Sequence, residues 1–168
     1  GDAVKVLIVA DGESSRGGRR SSKLLAQRKA AGEKACAILG VQEIKQLGLP
    51  DNQLDTLPLL SIVKEIETLI EEFKPTIVYT HHSGDVNIDH QIVHEATLVA
   101  TRPQPDITVE SLYFFEILSS TDYRPAASRT LFSPNYFFDV EKFISKKFEA
   151  LNATGRVAFT AAGGVLRR

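Results

Sequence analysis

The sequence predicts an α/β domain, a layered fold in which helices flank a mostly parallel β-sheet. Continuous runs of largely β-branched residues, typical of strands buried on both faces, occur at Val4–Ala10 and Thr76–Thr80. Amphipathic segments with helical spacing lie between and after these runs. Strands that alternate with helices of ordinary length favour parallel pairing, because each crossover helix returns the chain to the same end of the sheet.

The first half of the chain is predicted to contain two strand–helix units. After the first strand and a polar turn, a helix is expected over Leu24–Leu39, with Gly40 as its C-cap. A weaker strand at Glu43–Leu47 ends in a Gly- and Pro-containing turn. The helix Leu59–Phe73 has the clearest apolar stripe in the sequence, and Pro75 stops it.

The second half continues the alternation less regularly. A polar segment, His81–His90, follows the strand that ends at Thr80 and leads into a helix whose apolar face runs to Ala100. The later elements are predicted strands at Ser111–Leu118 and Tyr136–Val140, and a helical stripe from Val140 to Leu151. Residues 1–152 are expected to form one domain. Residues 153–168 show neither a helical nor an alternating pattern, and they are expected to be a poorly ordered tail.

Composition narrows the functional classes. The chain of 168 residues is long enough to bury one core, and 20 basic against 21 acidic residues exclude a broad electrostatic footprint for nucleic acid. No apolar run approaches the roughly 18 residues of a membrane span, and no signal peptide pattern is present, so a cytoplasmic location is expected. The single cysteine, Cys36, excludes a disulfide framework and a Cys-rich zinc site. The oligomeric state is left open.

The chemistry-bearing residues are concentrated in one segment. The four histidines and two aspartates between positions 81 and 94 are His81, His82, Asp85, Asp89, His90 and His94. They follow a predicted strand and run into a helix, and ligands of α/β sheets bind just beyond the carboxyl ends of the strands. Histidine and carboxylate are the usual ligands of a hydrolytic zinc, which keeps three protein ligands and one open position. The segment therefore indicates a candidate metal site, with His90 as the favoured ligand.

Each of these residues also has an ordinary structural interpretation. Asp89 is a suitable N-cap for the following helix, and His94, one turn after His90, suits a solvated helix surface. The two histidines directly after the strand suit hydrogen bonding to loop backbone. A purely local metal site built from His90, His94 and Asp85 is a further alternative, although it lacks the glutamate of a zincin helix.

With these residues in view, the sequence resembles the PIG-L/LmbE-type N-deacetylases. The resemblance covers nearly the whole chain up to about Asn152, and its segments are Val6–Arg16, Gly48–Asp51, Thr80–His90, Tyr113–Glu116 and Ser133–Phe137. It implies a Rossmann-like layered fold. It also implies a Zn²⁺-dependent enzyme that removes the acetyl group from a small-molecule sugar conjugate of the N-acetylglucosamine type.

The resemblance implies roles for five residues. His90 corresponds to a zinc ligand, and Asn87 stands where the family often has a histidine near the developing oxyanion. Asn87 can donate a hydrogen bond but cannot become a cation. Asp89, between them, is expected to orient a neighbouring catalytic group. Arg16 and Asp51 fall where family members contact the sugar, with a surface arginine and a turn aspartate as the alternative interpretations.

One family feature does not occur in this sequence. The family's His-Pro-Asp-Asp-Glu motif, which ends its first strand and supplies two zinc ligands and the general base, is absent. The run Val4–Ala10 resembles the family's second strand, so an upstream strand, loop and helix are expected to be missing and this chain to be inactive alone. A non-catalytic carbohydrate- or partner-binding relative is the alternative. A nucleotide-binding protein is disfavoured, because Gly12 and Gly17-Gly18 do not form a Gly-rich phosphate loop.

Overall fold

The computed structural model describes residues 2–13, 15, 21–125 and 131–154, and the backbone of residues 163–167. The strands in this part of the chain are β1 (Val4–Ala10), β2 (Glu43–Leu49), β3 (Ile77–His81), β4 (Ser111–Phe115) and β5 (Gly163–Arg167). The helices are α1 (Ser22–Leu39), α2 (Leu59–Phe73), α3 (Ile88–Ala100) and α4 (Ile144–Ala153). None of the described helices is long and apolar enough to cross a bilayer.

The strands form one sheet in the order β2-β1-β5-β3-β4. Strand β1 pairs in parallel with β2, and β3 pairs in parallel with β4. Strand β5 lies between these two pairs and is antiparallel to both β1 and β3. The predicted α/β fold of parallel strands flanked by helices is therefore confirmed, with one antiparallel strand inserted at the centre.

The central strand contradicts the expected tail. Residues 153–168 are predicted to be poorly ordered, but Gly163–Arg167 is a strand, and residues 155–162 lie outside the described part of the chain. The physical reason is backbone pairing: without β5, the facing edges of β1 and β3 would leave unpaired N–H and C=O groups in the middle of the sheet. The strand has no alternating signal of its own, and it opens with two glycines, which disfavour strands.

The main core lies between the sheet and the helices α2 and α3. The apolar stripe predicted for α2 is buried as expected, and the helix begins and ends at the predicted residues, Leu59 and Phe73. Helix α1 ends at Gly40, which adopts a left-handed φ of 78° as predicted. The largest apolar side chains that are fully buried in this core are Val9, Leu54, Ile62, Val63, Leu69, Ile70, Val78 and Val93.

Two predicted strands are wrong in extent or kind. Strand β4 ends at Phe115, because the chain turns back when Ser120 N–H and Thr121 N–H both donate to the carbonyl of Ile117. The segment Tyr136–Val140 forms no ladder with the sheet. Its aromatic side chains pack instead against tyrosines on the face of β3 and β4, so the alternation that predicts a strand reflects packing on a sheet face.

Candidate active site

The candidate site lies where β3 ends. Residues 82–87 form the loop between β3 and α3, and His90 is the third residue of α3, so the predicted placement of His90 after a parallel strand is confirmed. Arg124 anchors this loop, because its guanidinium donates to the carbonyls of Gly84 and Asp85 at 2.8 and 3.0 Å. The loop therefore has a fixed course over the carboxyl edge of the sheet.

The imidazole of His90 is buried and oriented. Its side chain is 1% exposed, and its Nδ1 lies 3.0 Å from Oδ2 of Asp85. Its Nε2 is buried and has no hydrogen-bond partner. A proton on Nδ1, donated to Asp85, leaves the lone pair of Nε2 available, which is the arrangement that carboxylates impose on metal-ligating histidines.

Asp85 is the acceptor for a set of donors from two segments. It is fully buried, and it accepts hydrogen bonds from Ser120 Oγ at 2.7 Å, Thr121 Oγ1 at 2.9 Å and the Asn87 N–H at 2.8 Å. Burial alone raises the pKa of Asp85, but the bonds from His90, Asn87 and Ser120 outweigh it and hold that pKa below its ordinary value. Asp85 is therefore an ionised carboxylate that fixes His90 from behind.

The other buried histidines do not share this arrangement. The ring of His81 stacks on His90 with centroids 4.1 Å apart, and its Nδ1 has no hydrogen-bond partner. Burial, with a smaller contribution from the neighbouring His90, lowers the pKa of His81 to about 3, so this ring is neutral at physiological pH. His94 is buried, and its Nδ1–H donates to the carbonyl of His81 at 2.8 Å. The expectation of a solvated His94 is wrong, because its face of α3 packs on the sheet beside Phe114.

The helix cap at the start of α3 is Asn87 and not Asp89. Asn87 is the N-cap of α3, with Oδ1 accepting from the Asp89 N–H at 2.8 Å, so the interpretation of Asp89 as the cap is wrong. The carboxylate of Asp89 accepts from the N–H groups of Asn52 and Leu54 at 2.6 and 3.0 Å. Burial raises the pKa of Asp89, and these two N–H groups oppose that rise. Asp89 therefore ties the start of α3 to the loop after β2.

Comparison with known proteins identifies the family of this chain. Residues 1–101 match the model of the family described as PIG-L: GlcNAc-PI de-N-acetylase. The chain belongs to the PIG-L family. The match contains β1, β2, β3 and α3, and therefore all the residues from Asp85 to His90.

Individual relatives of this PIG-L family chain are distant. It is 24% identical over 131 residues to a probable N-acetyl-alpha-D-glucosaminyl L-malate deacetylase 2 of Bacillus anthracis, covering 77% of this chain and 55% of the relative. The conserved protein TT1542 of Thermus thermophilus superposes with a TM-score of 0.64 at 19% identity, covering 89% and 64% of the two chains. The N,N'-diacetylchitobiose deacetylase of Pyrococcus horikoshii superposes with a TM-score of 0.63 at 18% identity, covering 91% and 58%. The two structures establish the fold, and the chain spans between half and two thirds of the length of these relatives.

The fit of this PIG-L family chain to a zinc ion is partial. His90 presents one oriented nitrogen, but no group of three histidines, cysteines or acidic residues in the described part of the chain is arranged to hold a metal. The local alternative of His90, His94 and Asp85 is not formed, because Asp85 binds the Nδ1 side of His90 and His94 Nδ1 is bound to a backbone carbonyl. A catalytic zinc needs three protein ligands, so the described residues alone do not complete the site.

Of the two predicted sugar contacts, Asp51 lies in the described part of the chain and Arg16 lies outside it. Asp51 is half-buried in the loop after β2, and it accepts a hydrogen bond from Ser15 Oγ in the loop after β1. The neighbouring Asn52 is held by Asp89, so Asp51 lies in a loop that is fixed on two sides.

Sequence reasoning missed some residues of the site. Ser120 and Thr121 were not singled out, although a Ser-Ser-Thr run directly after a predicted strand is a usable signal for side-chain donors. Arg28 of α1 pairs with Glu13 in the loop after β1, and its Nη2 is buried without a hydrogen-bond partner. The helical spacing of α1 predicts that Arg28 is a solvated charge. That spacing does not indicate that Glu13, in the preceding loop, pairs with Arg28.

Proposed function

We propose that the protein to which this chain belongs is a zinc-dependent hydrolase that removes the N-acetyl group from an N-acetylglucosamine-type sugar conjugate. The observation that carries the proposal is the buried His90, with Nδ1 on Asp85 and Nε2 without a partner, at the carboxyl end of β3 in a PIG-L family fold. Both named relatives with an activity are deacetylases of N-acetylated sugars. Zinc, when bound, would polarise the acetyl carbonyl and lower the pKa of a bound water.

The residues of this chain supply orientation and hydrogen bonding. His90 is the proposed zinc ligand, and Asp85 holds its ring so that Nε2 faces away from the carboxylate. Asn87 uses Oδ1 as the helix cap, so its Nδ2 is the proposed donor to the oxyanion of the tetrahedral intermediate. Loss of such a donor typically costs about 10²- to 10³-fold in rate. Arg16 and Asp51 are the proposed contacts to the sugar hydroxyls.

The role of Asp89 follows from its contacts. Its two oxygens bind backbone N–H groups of the loop that contains Asp51, at 2.6 and 3.0 Å. We assign Asp89 as a positioning residue, because both oxygens hold this loop beside the start of α3. The proposed sugar contact at Asp51 and the proposed metal ligand His90 are thereby kept at a constant separation.

A second candidate function is the binding of a carbohydrate or a partner without catalysis. No group of three potential metal ligands occurs among the described residues, and the same fold with an incomplete site is suited to binding a carbohydrate or a partner without catalysis. Zinc binding separates the two candidates, because only the hydrolase needs His90 to contact the metal.

The test is a histidine-selective ¹⁵N NMR experiment on the whole chain, with and without Zn²⁺. We expect His90 to carry its proton on Nδ1 and its Nε2 resonance to respond to zinc more strongly than the other three histidines. Asp85→Asn should weaken that response about 10- to 100-fold, because the amide no longer imposes the tautomer.

Two controls make this result decisive. Asp55→Asn, which changes an exposed aspartate in the loop after β2, should leave the zinc response unchanged. His94→Ala should preserve the amount of zinc that the chain binds, measured by metal analysis, whereas His90→Ala should abolish it. Equal losses in the His90 and His94 variants, or a His90 proton found on Nε2, would refute the proposed ligand.

A further inference from the structure

The turn formed by residues 120–124, which comes after β4, contacts the buried aspartate of the candidate site. Its first two residues, Ser120 and Thr121, are 8% and 4% exposed, and both donate their hydroxyls to Oδ2 of Asp85. This 120–124 turn lies outside residues 1–101, the part of the chain that matches the family. The function proposed above gives none of its residues a role.

Hydrogen bonds to the backbone hold the Thr121 hydroxyl in one orientation. The N–H groups of Ser120 and Thr121 both donate to the carbonyl of Ile117, at 2.9 and 2.7 Å. The Ile117 N–H in turn donates to Thr121 Oγ1 at 2.8 Å. Because this hydroxyl oxygen already accepts from a backbone N–H, its proton points at Asp85, whose ionised carboxylate can only accept. Thr121 is therefore a fixed donor to Asp85.

A single carboxylate oxygen links the two hydroxyls to His90. Oδ2 of Asp85 accepts from Ser120 Oγ at 2.7 Å and from Thr121 Oγ1 at 2.9 Å. The same oxygen lies 3.0 Å from Nδ1 of His90. Ser120 Oγ is itself 3.5 Å from Nδ1, so its hydroxyl would donate to that nitrogen if Asp85 turned away. Such a bond needs a lone pair on Nδ1 and therefore favours the opposite tautomer, with the proton on Nε2.

The 120–124 turn also holds the main chain of Asp85. Arg124 donates from Nε to the carbonyl of Gly84 at 2.8 Å and from Nη2 to the carbonyl of Asp85 at 3.0 Å. A guanidinium presents its donors in a rigid planar fork, so these two carbonyls are held in one relative position. Gln91 of α3 donates to the same Asp85 carbonyl at 2.7 Å. Both the backbone and the carboxylate of Asp85 are therefore bound by this turn.

We propose that Ser120 and Thr121 are positioning residues that set the tautomer of His90 through Asp85. By holding the carboxylate against Nδ1, they keep the proton there and leave the lone pair of Nε2 available. The inference rests on the proposed function only for what Nε2 binds, because the tautomer is a property of the chain before any metal is added.

The test is ¹⁵N NMR of the histidines in the whole chain without added metal, which measures the fraction of His90 that carries its proton on Nε2. Thr121→Val removes the hydroxyl with little change of shape and should raise that fraction about 2- to 10-fold, the shift in equilibrium equivalent to one net hydrogen bond. Ser120→Ala should raise it less, because this variant also removes the hydroxyl that competes for Nδ1. Ser120→Ala leaves the backbone bonds to Ile117 intact, so it serves as the second variant if Thr121→Val does not fold.

Two control variants separate positioning from a general loss of stability. Thr121→Ser keeps the hydroxyl and should keep the tautomer of the unaltered chain. Thr108→Val removes a half-buried hydroxyl that donates to the carbonyl of Pro75 at 2.8 Å, away from the site, and should also leave the tautomer unchanged.

The readout does not depend on zinc, so a failure of the zinc proposal does not imitate a failure of this one. An unchanged Nε2-protonated fraction in Thr121→Val or, where that variant does not fold, in Ser120→Ala would overturn the inference. The same rise in Thr121→Ser or Thr108→Val would also overturn it, because the effect would then not come from the hydroxyl at Asp85.

Discussion

Asp85 and Asp89 are four residues apart, yet their surroundings give them opposite properties. Asp85 accepts two hydroxyl donors, a backbone N–H and the His90 ring, and its pKa is held low. Asp89 accepts backbone N–H groups in a buried position, and burial raises its pKa. Chemically identical side chains therefore serve different purposes: Asp85 orients an imidazole by charge, whereas Asp89 fixes a loop by geometry.

The role of Asp89 leads to a stability prediction at this scale. Asp89→Asn keeps one acceptor oxygen and places an NH₂ group beside an N–H donor, so one of the two loop bonds is lost. We expect the free energy of unfolding to fall by about 0.5–1.5 kcal/mol, the net range for one hydrogen bond, because the neutral amide also relieves the cost of burying the charge. Urea denaturation measures this, with Asp55→Asn as the matched control. Equal stability of the two variants would contradict the assigned role.

For individual residues, the sequence predicts local placement but not long-range contacts. The position of His90 at the start of α3 follows from a strand, a polar loop and a helical pattern, which are all local. The partners of Asp89 are 35 and 37 residues away, and those of Asp85 include Ser120 and Thr121 on a later turn. Contacts of that range depend on how strand ends meet, so the sequence alone does not indicate them.

At the scale of elements, Glu67 connects two helices. It lies on α2, is 8% exposed, and pairs with Lys64 at 2.6 Å and with Arg102, just beyond α3, at 3.3 Å. The hydrogen bond from Lys64 is the main cause that lowers the pKa of Glu67, and it outweighs the opposing effect of burial. The carboxylate is therefore more acidic in the folded chain than in the unfolded one.

This shift predicts a pH dependence with a definite sign. Because the folded pKa is lower, Glu67 stabilises the fold above its ordinary pKa, and the contribution is lost as the pH falls through the folded pKa. Glu67→Gln should cost about 0.5–1 kcal/mol at pH 7, a value limited by the exposure of its cationic partners, and the cost should shrink as the pH falls through the folded pKa. Urea midpoints over a series of acidic pH values test this, with the exposed Glu71→Gln as control. A cost that does not shrink as the pH falls would be against it.

The elements differ in how well sequence predicts them. Helix α2 is bounded as predicted because its apolar stripe is long, regular and terminated by proline. The sequence does not predict strand β5, because its position depends on the open edges of β1 and β3 and not on its own pattern. The strand predicted at Tyr136–Val140 is wrong because alternation fits both a strand paired in a sheet and a segment packed on a sheet face.

At the scale of the whole molecule, the site is assembled from several strand ends. The loop after β1 contributes Ser15, the loop after β2 contributes Asp51, and β3 leads to His90. Between β1 and β3 lies β5, which runs in the opposite direction and reaches the sheet from beyond α4. The residues of β5 include no histidine, cysteine or carboxylate, so the strand at the centre of the sheet supplies no metal ligand.

That arrangement leads to the last prediction: this chain of 168 residues, taken alone, releases no measurable acetate from N-acetylglucosamine conjugates with zinc added. His90 provides one of the three protein ligands that a catalytic zinc needs, and no carboxylate among the described residues joins it in a metal-binding group.

The decisive comparison is a chimaera in which a strand and helix carrying the family's His-Pro-Asp-Asp-Glu motif precede this chain. We expect zinc-dependent acetate release from the chimaera and its loss on His90→Ala, because the added strand supplies the two missing ligands and the general base that the family resemblance assigns to that motif. Zinc-dependent turnover by the unmodified chain would refute the prediction and would mean that a complete ligand set forms from its own residues.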